Sequence, residues 1–141
     1  MDERIPLRKS LTRYRVIYGD TDQMGVVYYA NYLRWFESGR SEFLREVGVP
    51  YTSIEQQGWH FPVVQVSCRY IQSARYDDVI QIETVLAELG RATLKFVYRI
   101  TRESDGALLA RGETEHACID GSGRIVRIPK ILMDVLAGRS S

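Results

Sequence analysis

The sequence predicts an α+β domain in which one long helix packs against an antiparallel sheet. Three observations support this fold class. Apolar side chains recur at helical spacing between residues 27 and 47, a later segment alternates apolar and mixed positions at period two, and glycine-containing turns separate the strand-like segments. With 141 residues the chain can bury a core of its own, so we expect one domain over residues 1–141.

The predicted helix extends from about Val27 to Val47. Its apolar positions recur every three or four residues, and they are Tyr32, Phe36, Phe43 and Val47, with Gly39 between them. Gly48 and Pro50 are typical helix-ending residues. The long helix therefore has one stripe suited to burial against the sheet.

The predicted strands cover residues 11–18, 63–70, 79–89, 94–100, 108–119 and 124–128. In the clearest of them, Leu94 to Ile100, apolar residues alternate with mixed ones, which is typical of a sheet covered on one face. Turns at residues 104–106 and 120–123 join the last three strands into a meander. Pro129 can open a short final helix that ends near Leu136.

Composition excludes several classes of protein. The formal net charge of +1 argues against a nucleic-acid-binding surface. The charged start of the chain leads into no apolar signal segment, and no apolar run approaches the roughly 20 residues that span a bilayer. Cys68 and Cys118 lie in strand-like segments without paired spacing, as expected in a reducing compartment. We therefore expect a cytoplasmic protein.

The segment that points to chemistry is YGDTDQMGVVYYANY, residues 18–32. Two carboxylates, Asp20 and Asp22, lie on a short turn that leads into the aromatic start of the helix. Backbone N–H groups near a helix start lack intrahelical partners and can be aimed at an oxygen that becomes negatively charged. A base and an oxyanion site can therefore share this turn.

This segment resembles the signature of hotdog-fold acyl-CoA thioesterases, more narrowly the 4-hydroxybenzoyl-CoA and Tol–Pal-associated thioesterase branch. The matching positions are Asp20, Asp22, Gly25, Val26, Val27, Tyr28 and Tyr29. A second block, ARYDDVIQIET at residues 74–84, resembles the family's entry into its central strand. The resemblance implies a long helix wrapped by a curved five- to six-stranded sheet. It also implies dimers joined sheet edge to sheet edge, with active sites at the dimer interface.

The resemblance implies that an acyl-CoA is the substrate and that no cofactor is needed, since coenzyme A is part of the substrate. It assigns Asp22 as general base, or alternatively as nucleophile, and the backbone amide of Tyr29 as the group that polarises the thioester carbonyl. The alternative for Asp22 is a purely structural cap or Asx turn. Asp20 is predicted to tie the turn together. We further expect a homotetramer, and an acyl carrier protein is a second candidate partner.

Six residues are predicted to contact substrate, and they are Tyr18, Gly25, Val27, Tyr28, His60 and Arg91. Arg91 matches part of a basic run that contacts the nucleotide end of coenzyme A in the 4-hydroxybenzoyl enzyme, but Gly90 and Ala92 replace its basic neighbours here. Structural roles remain open for all six. Glu37 and His116 are expected to be structural, and the histidines and cysteines show no metal-ligand spacing. Two other functions stay open: a hotdog dehydratase and a non-catalytic acyl-thioester-binding subunit.

Overall fold

The computed structural model describes residues 9–138 and contains one five-stranded antiparallel sheet and three helices. The strands are β1 Lys9–Arg15, β2 Val63–Tyr70, β3 Val79–Leu89, β4 Thr93–Arg102 and β5 Leu108–Ala117. The helices are α1 Asn31–Glu46, α2 Tyr51–Gln56 and α3 Lys130–Leu136. The predicted α+β class, with a long helix and a five- to six-stranded sheet, is confirmed.

The strand order in the sheet is β1-β3-β4-β5-β2. Strands β3, β4 and β5 form a meander, because each tight turn returns the chain beside the strand it has just left. The predicted meander of the last three predicted strands is wrong in its third member, since residues 124–128 form no strand. β2 precedes this meander in the chain but pairs with β5, and β1 pairs with β3. In the described part of the chain β1 and β2 are therefore the two edges of the sheet.

Helix α1 covers one face of the sheet with its apolar stripe. Phe36 stacks on Tyr98 with ring centroids 4.3 Å apart, and Phe43 meets the edge of Phe96 at 5.5 Å. Burying each of these rings contributes roughly 1.5–3 kcal/mol to folding. Gly39 lies at the closest approach of helix and sheet, where an added Cβ would overlap the Thr84 hydroxyl and lie 2.9 Å from Ile82 Cγ2.

Helix α1 begins four residues later than predicted. Its first residue is Asn31, because the chain at Val27 and Tyr28 is bonded to other segments. Val27 N–H donates to Ala74 O at 2.8 Å and Tyr28 N–H donates to Asp20 O at 2.9 Å. These long-range bonds hold the chain extended where helical spacing alone suggests a helix.

Three further boundaries differ from the prediction. The first strand ends at Arg15, and Tyr18 belongs to a short 3-10 turn, Tyr18–Asp20, rather than to the strand. Residues 124–128 form no strand; Ile125 makes a single bridge to Ile119, and Ile128 N–H bonds to Arg91 O at 2.7 Å. Helix α2 was not predicted, since its six residues are too few to show a period.

The other strand predictions hold closely. β2 and β3 have the predicted bounds, β4 includes the predicted strand, and β5 ends two residues early at Ala117. The final helix α3 follows Pro129 and ends at Leu136, as predicted. Within residues 9–138, no helix is long and apolar enough to cross a membrane.

Candidate active site

The segment that links β1 to α1 folds back on itself as a tight hairpin-like turn. Thr21 and Val27 form an antiparallel bridge, and Asp22 N–H donates to Val26 O at 2.9 Å. Gly25 closes the turn with a φ of +79°, a conformation that glycine adopts without steric cost. Gly25 therefore allows the backbone to reverse direction at this point.

Asp20 is the anchor of this turn. Its buried carboxylate accepts hydrogen bonds through Oδ2 from the Tyr14 hydroxyl at 2.6 Å and from Ile17 N–H at 3.0 Å. Its carbonyl oxygen accepts from Tyr28 N–H and from Asn31 Nδ2, both at 2.9 Å. Burial and the bond to Asp20 raise the pKa of Tyr14 to about 12. Asp20 thus has the structural role expected of it.

Asp22 differs from Asp20 in its surroundings. Its side chain is exposed, and its Oδ1 accepts one hydrogen bond, from Met24 N–H at 2.8 Å. Among the contacts of residues 9–138, none engages Oδ2. The Asx turn predicted as the structural alternative is therefore present, and it occupies one carboxylate oxygen while the other faces solvent. Asp22 lines none of the main cavities found in residues 9–138.

Tyr29 lies two residues before helix α1. The carbonyl oxygen of Tyr29 accepts hydrogen bonds from Tyr32 N–H at 3.2 Å and from the Tyr70 hydroxyl at 3.0 Å. For the N–H of Tyr29, the structure of residues 9–138 contains no acceptor. The next N–H groups, from Asn31 onward, already bond back to residues 28–30. The N–H of Ala30 also has no acceptor among residues 9–138, so the amides of Tyr29 and Ala30 are the available donors at this helix entrance.

Aromatic side chains surround the turn. Tyr28 and Tyr29 have ring centroids 4.7 Å apart, and Tyr70 of β2 lies edge-on to Tyr29 at 6.0 Å. Burial, followed by the Cys68 thiol, raises the pKa of Tyr70 to about 12, which keeps its hydroxyl protonated. Tyr18 is 71% exposed and stacks on Tyr76 at 3.7 Å. The tyrosines expected at the substrate site are therefore at the surface of this chain.

The other three predicted contact residues lie elsewhere. Val27 is buried in the hydrophobic core. His60 precedes β2, bridges Ile119 through its backbone, and has Nδ1 3.5 Å from Glu55 Oε2. Arg91 is exposed at the turn between β3 and β4, where it lines a groove of about 790 Å³ together with Arg127 and Lys130. The predicted residues that are close in sequence lie together on the turn. His60 and Arg91 lie on other surfaces of the same chain.

A cavity that no sequence pattern predicted lies between α1, α2, α3 and the sheet. Its volume is about 350 Å³. Six lining residues are buried and apolar, and they are Leu44, Ile54, Leu94, Phe96, Leu132 and Leu136. Its lining is drawn from segments between residues 37 and 136, so no local motif could have revealed it.

His116 lies in the wall of this cavity and is 2% exposed. Its Nδ1 donates to Phe61 O at 2.9 Å, which leaves Nε2 to accept from the Thr114 hydroxyl at 2.8 Å. Thr114 in turn lies 2.6 Å from the Tyr98 hydroxyl. Burial lowers the pKa of His116 to about 4. His116 is thus a neutral structural residue, as expected, and its two ring nitrogens both have partners.

The geometry can be compared with known proteins. The sequence profile of the Thioesterase-like superfamily matches residues 16–136. The chain belongs to this superfamily. The Haemophilus influenzae acyl-CoA thioesterase YbgC is 37% identical over 118 residues, which are 82% of this chain and 85% of that protein. The 4-hydroxybenzoyl-CoA thioesterase of a Pseudomonas species is 29% identical over 104 residues, which cover 71% and 74% of the two chains.

The comparison with solved structures agrees with the sequence comparison. The crystal structure of Thermus thermophilus protein TT1821 superposes with a TM-score of 0.87 at 41% identity, covering 93% of this chain and 99% of that one. The resemblance to hotdog-fold thioesterases is therefore confirmed for both sequence and fold. Among residues 9–138, no cluster of three or more His, Cys, Asp or Glu side chains is arranged to hold a metal ion.

Proposed function

We propose that this protein hydrolyses an acyl-CoA thioester to a free acid and coenzyme A, without a cofactor. One observation carries the proposal. The same short turn presents a carboxylate oxygen of Asp22 and the N–H of Tyr29, and neither has a partner among the described residues. The superfamily membership and the relatives' names support thioester hydrolysis as the reaction.

In this reaction Asp22 takes a proton from a water molecule as the water oxygen forms a bond to the thioester carbon. The C–S bond then breaks, and the proton passes from Asp22 to the departing thiolate. A base in hydrogen-bond reach of the water contributes roughly 10²- to 10⁴-fold in rate. The Asx bond from Met24 N–H to Oδ1 orients the carboxylate and leaves Oδ2 for this transfer.

The Tyr29 N–H is the proposed donor to the carbonyl oxygen as negative charge develops on it. A fixed backbone donor of this kind is worth about 10²- to 10³-fold in kcat. The Tyr70 hydroxyl bonds to the carbonyl of Tyr29 and so holds this peptide segment against β2. The tyrosine side chain itself takes no proton in this scheme.

The proposed assembly is a dimer that pairs the free edge of β2 with the same edge of a second copy. Val63, Val64 and Val66 of this edge strand are all exposed, which is unusual for a strand that faces only water. A second copy would cover this edge and close the solvent-facing side of the catalytic turn. Association of two dimers into a tetramer remains an expectation from the resemblance.

For the nucleotide end of coenzyme A, the proposed site is the groove beside Arg91. Arg127 and Lys130 add two cationic side chains to the same groove, although Lys130 also pairs with Asp134 at 3.0 Å. Guanidinium groups bind phosphate oxygens in bidentate fashion. These two residues supply positive charge that Gly90 and Ala92 do not.

The test compares two aspartates in the same local geometry. Asp120 also accepts a backbone N–H in an Asx turn, from Ser122 at 2.9 Å. We expect Asp22→Asn to lower kcat by about 10²- to 10⁴-fold, because the amide cannot accept the proton. Asp120→Asn should leave kcat unchanged. The measurement is thiol release from butanoyl-, dodecanoyl- and benzoyl-CoA and from an acyl carrier protein thioester; full activity of Asp22→Asn would contradict the proposal.

The dehydratase alternative rests on the contact between His60 Nδ1 and Glu55 Oε2, a histidine beside an acid. That reaction would convert a 3-hydroxyacyl thioester to an enoyl thioester and release no thiol. Mass analysis of products from 3-hydroxybutanoyl-CoA separates the two functions. Tight binding with no product at all would instead favour the non-catalytic subunit.

A further inference from the structure

The outer face of the sheet, which is the face turned away from α1, carries two arginines with no acid beside them. Most cationic side chains of the strands form ion pairs with carboxylates, and they are Lys9, Arg13, Arg15, Lys95, Arg99 and Arg102. The exceptions are Arg69 of β2 and Arg111 of β5. Neither guanidinium group makes a hydrogen bond or an ion pair with any of residues 9–138.

Strand register brings these two arginines together. Arg69 is directly opposite Arg111 in the β2–β5 pairing, and Arg111 is directly opposite Arg99 in the β4–β5 pairing. Arg99 follows Tyr98, whose ring stacks on Phe36 of α1, so the arginines point away from the helix. Directly opposed residues have Cβ atoms about 4.5–5.5 Å apart, and like charges at this spacing destabilise a sheet. The sheet therefore holds an unfavourable charge pair that none of its own acids relieves.

A groove of about 490 Å³ is lined by both arginines. Ser67 of β2 adds an exposed hydroxyl group to its wall. Glu113 is the one carboxylate among the lining residues, and it lies 3.8 Å from Lys95 Nζ rather than within ion-pair distance of either arginine. The groove thus combines two free guanidinium groups with one carboxylate that a lysine already pairs.

A phosphate group matches this arrangement. Its oxygens accept paired hydrogen bonds from the planar fork of a guanidinium group, and one phosphate can bridge two such forks. At neutral pH a phosphate monoester carries about −1.5 to −2 charge, which offsets the repulsion between two arginines. A carboxylate has one charge and two oxygens, so it satisfies only one fork. Pairing of two copies through the β2 edge joins strand edges and leaves this face open.

We infer that Arg69 and Arg111 form a binding site for a phosphate dianion, either free phosphate or the terminal phosphate of a monoester. Arg99 adds positive charge in the same row, although its guanidinium group lies 3.6 Å from Glu83. The site shares no lining residue with the groove beside Arg91. It does not depend on the proposed thioester hydrolysis.

The first experiment measures the unfolding midpoint with and without inorganic phosphate at constant ionic strength. At about ten times the Kd, binding to the folded chain should raise the midpoint of the unmodified protein by about 3–6 °C. Arg69→Gln and Arg111→Gln should each lose most of this rise. Arg124→Gln is the matched control, because Arg124 is exposed, forms no ion pair among residues 9–138 and lies outside the groove. Equal rises for Arg111→Gln and the unmodified chain would overturn the inference.

The same titration contains a second signature of opposite sign. Without phosphate, Arg111→Gln removes a like-charge contact, so its midpoint should exceed that of the unmodified chain by about 1–3 °C. In saturating phosphate the order should reverse. Arg111→Lys keeps the charge but loses the planar fork, so its Kd for phosphate should rise by about threefold or more. An Arg111→Gln midpoint that is lower in both buffers, with an unchanged rise in phosphate, would show a packing role instead and contradict the site.

A further comparison separates the two sources of the phosphate. Coenzyme A carries a 3′-phosphate monoester, which dephospho-coenzyme A lacks. If the site holds this group, Arg111→Gln should raise KM for butanoyl-CoA by about threefold or more and leave KM for the dephospho substrate unchanged. If free phosphate fills the site, both KM values stay unchanged and only the midpoints respond. Failure of the hydrolysis proposal appears instead as a fully active Asp22→Asn chain, which leaves the phosphate titration unaffected.

Discussion

The two edges of the sheet have opposite surfaces. Along β1, charged side chains pair with neighbours: Lys9 Nζ lies 2.8 Å from Glu83 Oε1, and Arg13 Nε lies 2.8 Å from Glu103 Oε2. Along β2, three of the seven exposed residues are valines, with Val66 43% exposed, and Arg69 is the one charged residue. Charged side chains on an edge strand discourage pairing with another sheet, whereas an apolar edge invites it.

The difference supports the proposed dimer, in which β2 and not β1 pairs with a second copy. The catalytic turn is tied to the second edge, since Tyr70 of β2 bonds to Tyr29. The cavity also opens beside that edge, at Pro62 and Val63. In the proposed dimer, assembly and catalysis both depend on β2, so a change at β2 should affect both.

The largest effect is expected from a charge at the centre of β2. Val66→Lys places two ammonium groups near the proposed twofold axis, where like charges cost several kcal/mol, so we expect dimer dissociation to increase by about 100-fold or more. Leu11→Lys on β1 is the control, because Leu11 is 60% exposed on the other edge. Analytical ultracentrifugation measures both. Equal association of the Val66→Lys and unmodified chains would remove β2 from the interface.

Acid should weaken the β2 side of the sheet before the β1 side. His116 faces Val63 in the β2–β5 pairing, and its pKa falls from 6.5 to about 4 on folding. The unfolded chain binds the extra proton between these values, so the free energy of unfolding decreases as the pH falls from about 6.5 to 4, by roughly 3 kcal/mol in total. Over the same range Arg13 keeps the pKa of Glu103 below its usual value, which preserves the β1 pair.

Urea unfolding at several pH values measures this slope, and His116→Gln is the comparison. The glutamine variant should be less stable at neutral pH but should lose the pH dependence assigned to the histidine. Hydrogen exchange at decreasing pH shows which edge strand loses protection first. We expect the amides of β2 to lose protection before those of β1. Identical slopes for both chains would show that His116 is not the responsible group.

A methyl group at Gly112 should disturb the packing where β5 pairs with β2. An added Cβ would lie 2.5 Å from Ser67 O and 2.6 Å from Phe36 Cζ, and one contact is with backbone that cannot easily move. Overpacking of this kind costs about 1–3 kcal/mol, which we expect for Gly112→Ala in thermal or urea unfolding. Gly121→Ala, where nothing lies within 4 Å, should be nearly neutral. Equal stability of the two variants would contradict the packing described here.

The smallest effect is expected at the β1 edge. Arg13→Gln removes a solvent-exposed ion pair with Glu103. Exposed pairs are screened by water and salt, so the unfolding midpoint should change within experimental error. The dimer should also persist, because β1 takes no part in the proposed interface. A monomeric Arg13→Gln chain would reverse the assignment of the two edges.

The sequence was most informative where a pattern is local or strictly periodic. The alternation in β3 and β4 requires only that one face be buried, and the turn around Asp20 and Asp22 is built from bonds between near neighbours. Its position beside the helix could therefore be predicted. The start of α1 could not, because bonds from Val27 N–H to Ala74 and from Tyr28 N–H to Asp20 hold these residues in the turn rather than in the helix.

The rest of the site depends on contacts between distant residues. Arg127 joins Arg91 in one groove only because Ile128 N–H bonds to the Arg91 carbonyl. Helix α2 forms part of the cavity wall, but its six residues are too few to show helical periodicity in the sequence. Helix α3, which forms another part of the wall, comes from near the other end of the chain. Such arrangements follow from tertiary packing, which single-sequence periodicity does not encode.

Gly39 has a consequence for how relatives of this chain could diverge. Its missing side chain sets the depth at which α1 settles onto β3, with Thr84 directly beneath it. Any larger residue at this position would lift the helix, and the space enclosed between helix, sheet and α3 would widen with it. One small residue thus acts as a spacer that sets the width of the cavity beneath the helix.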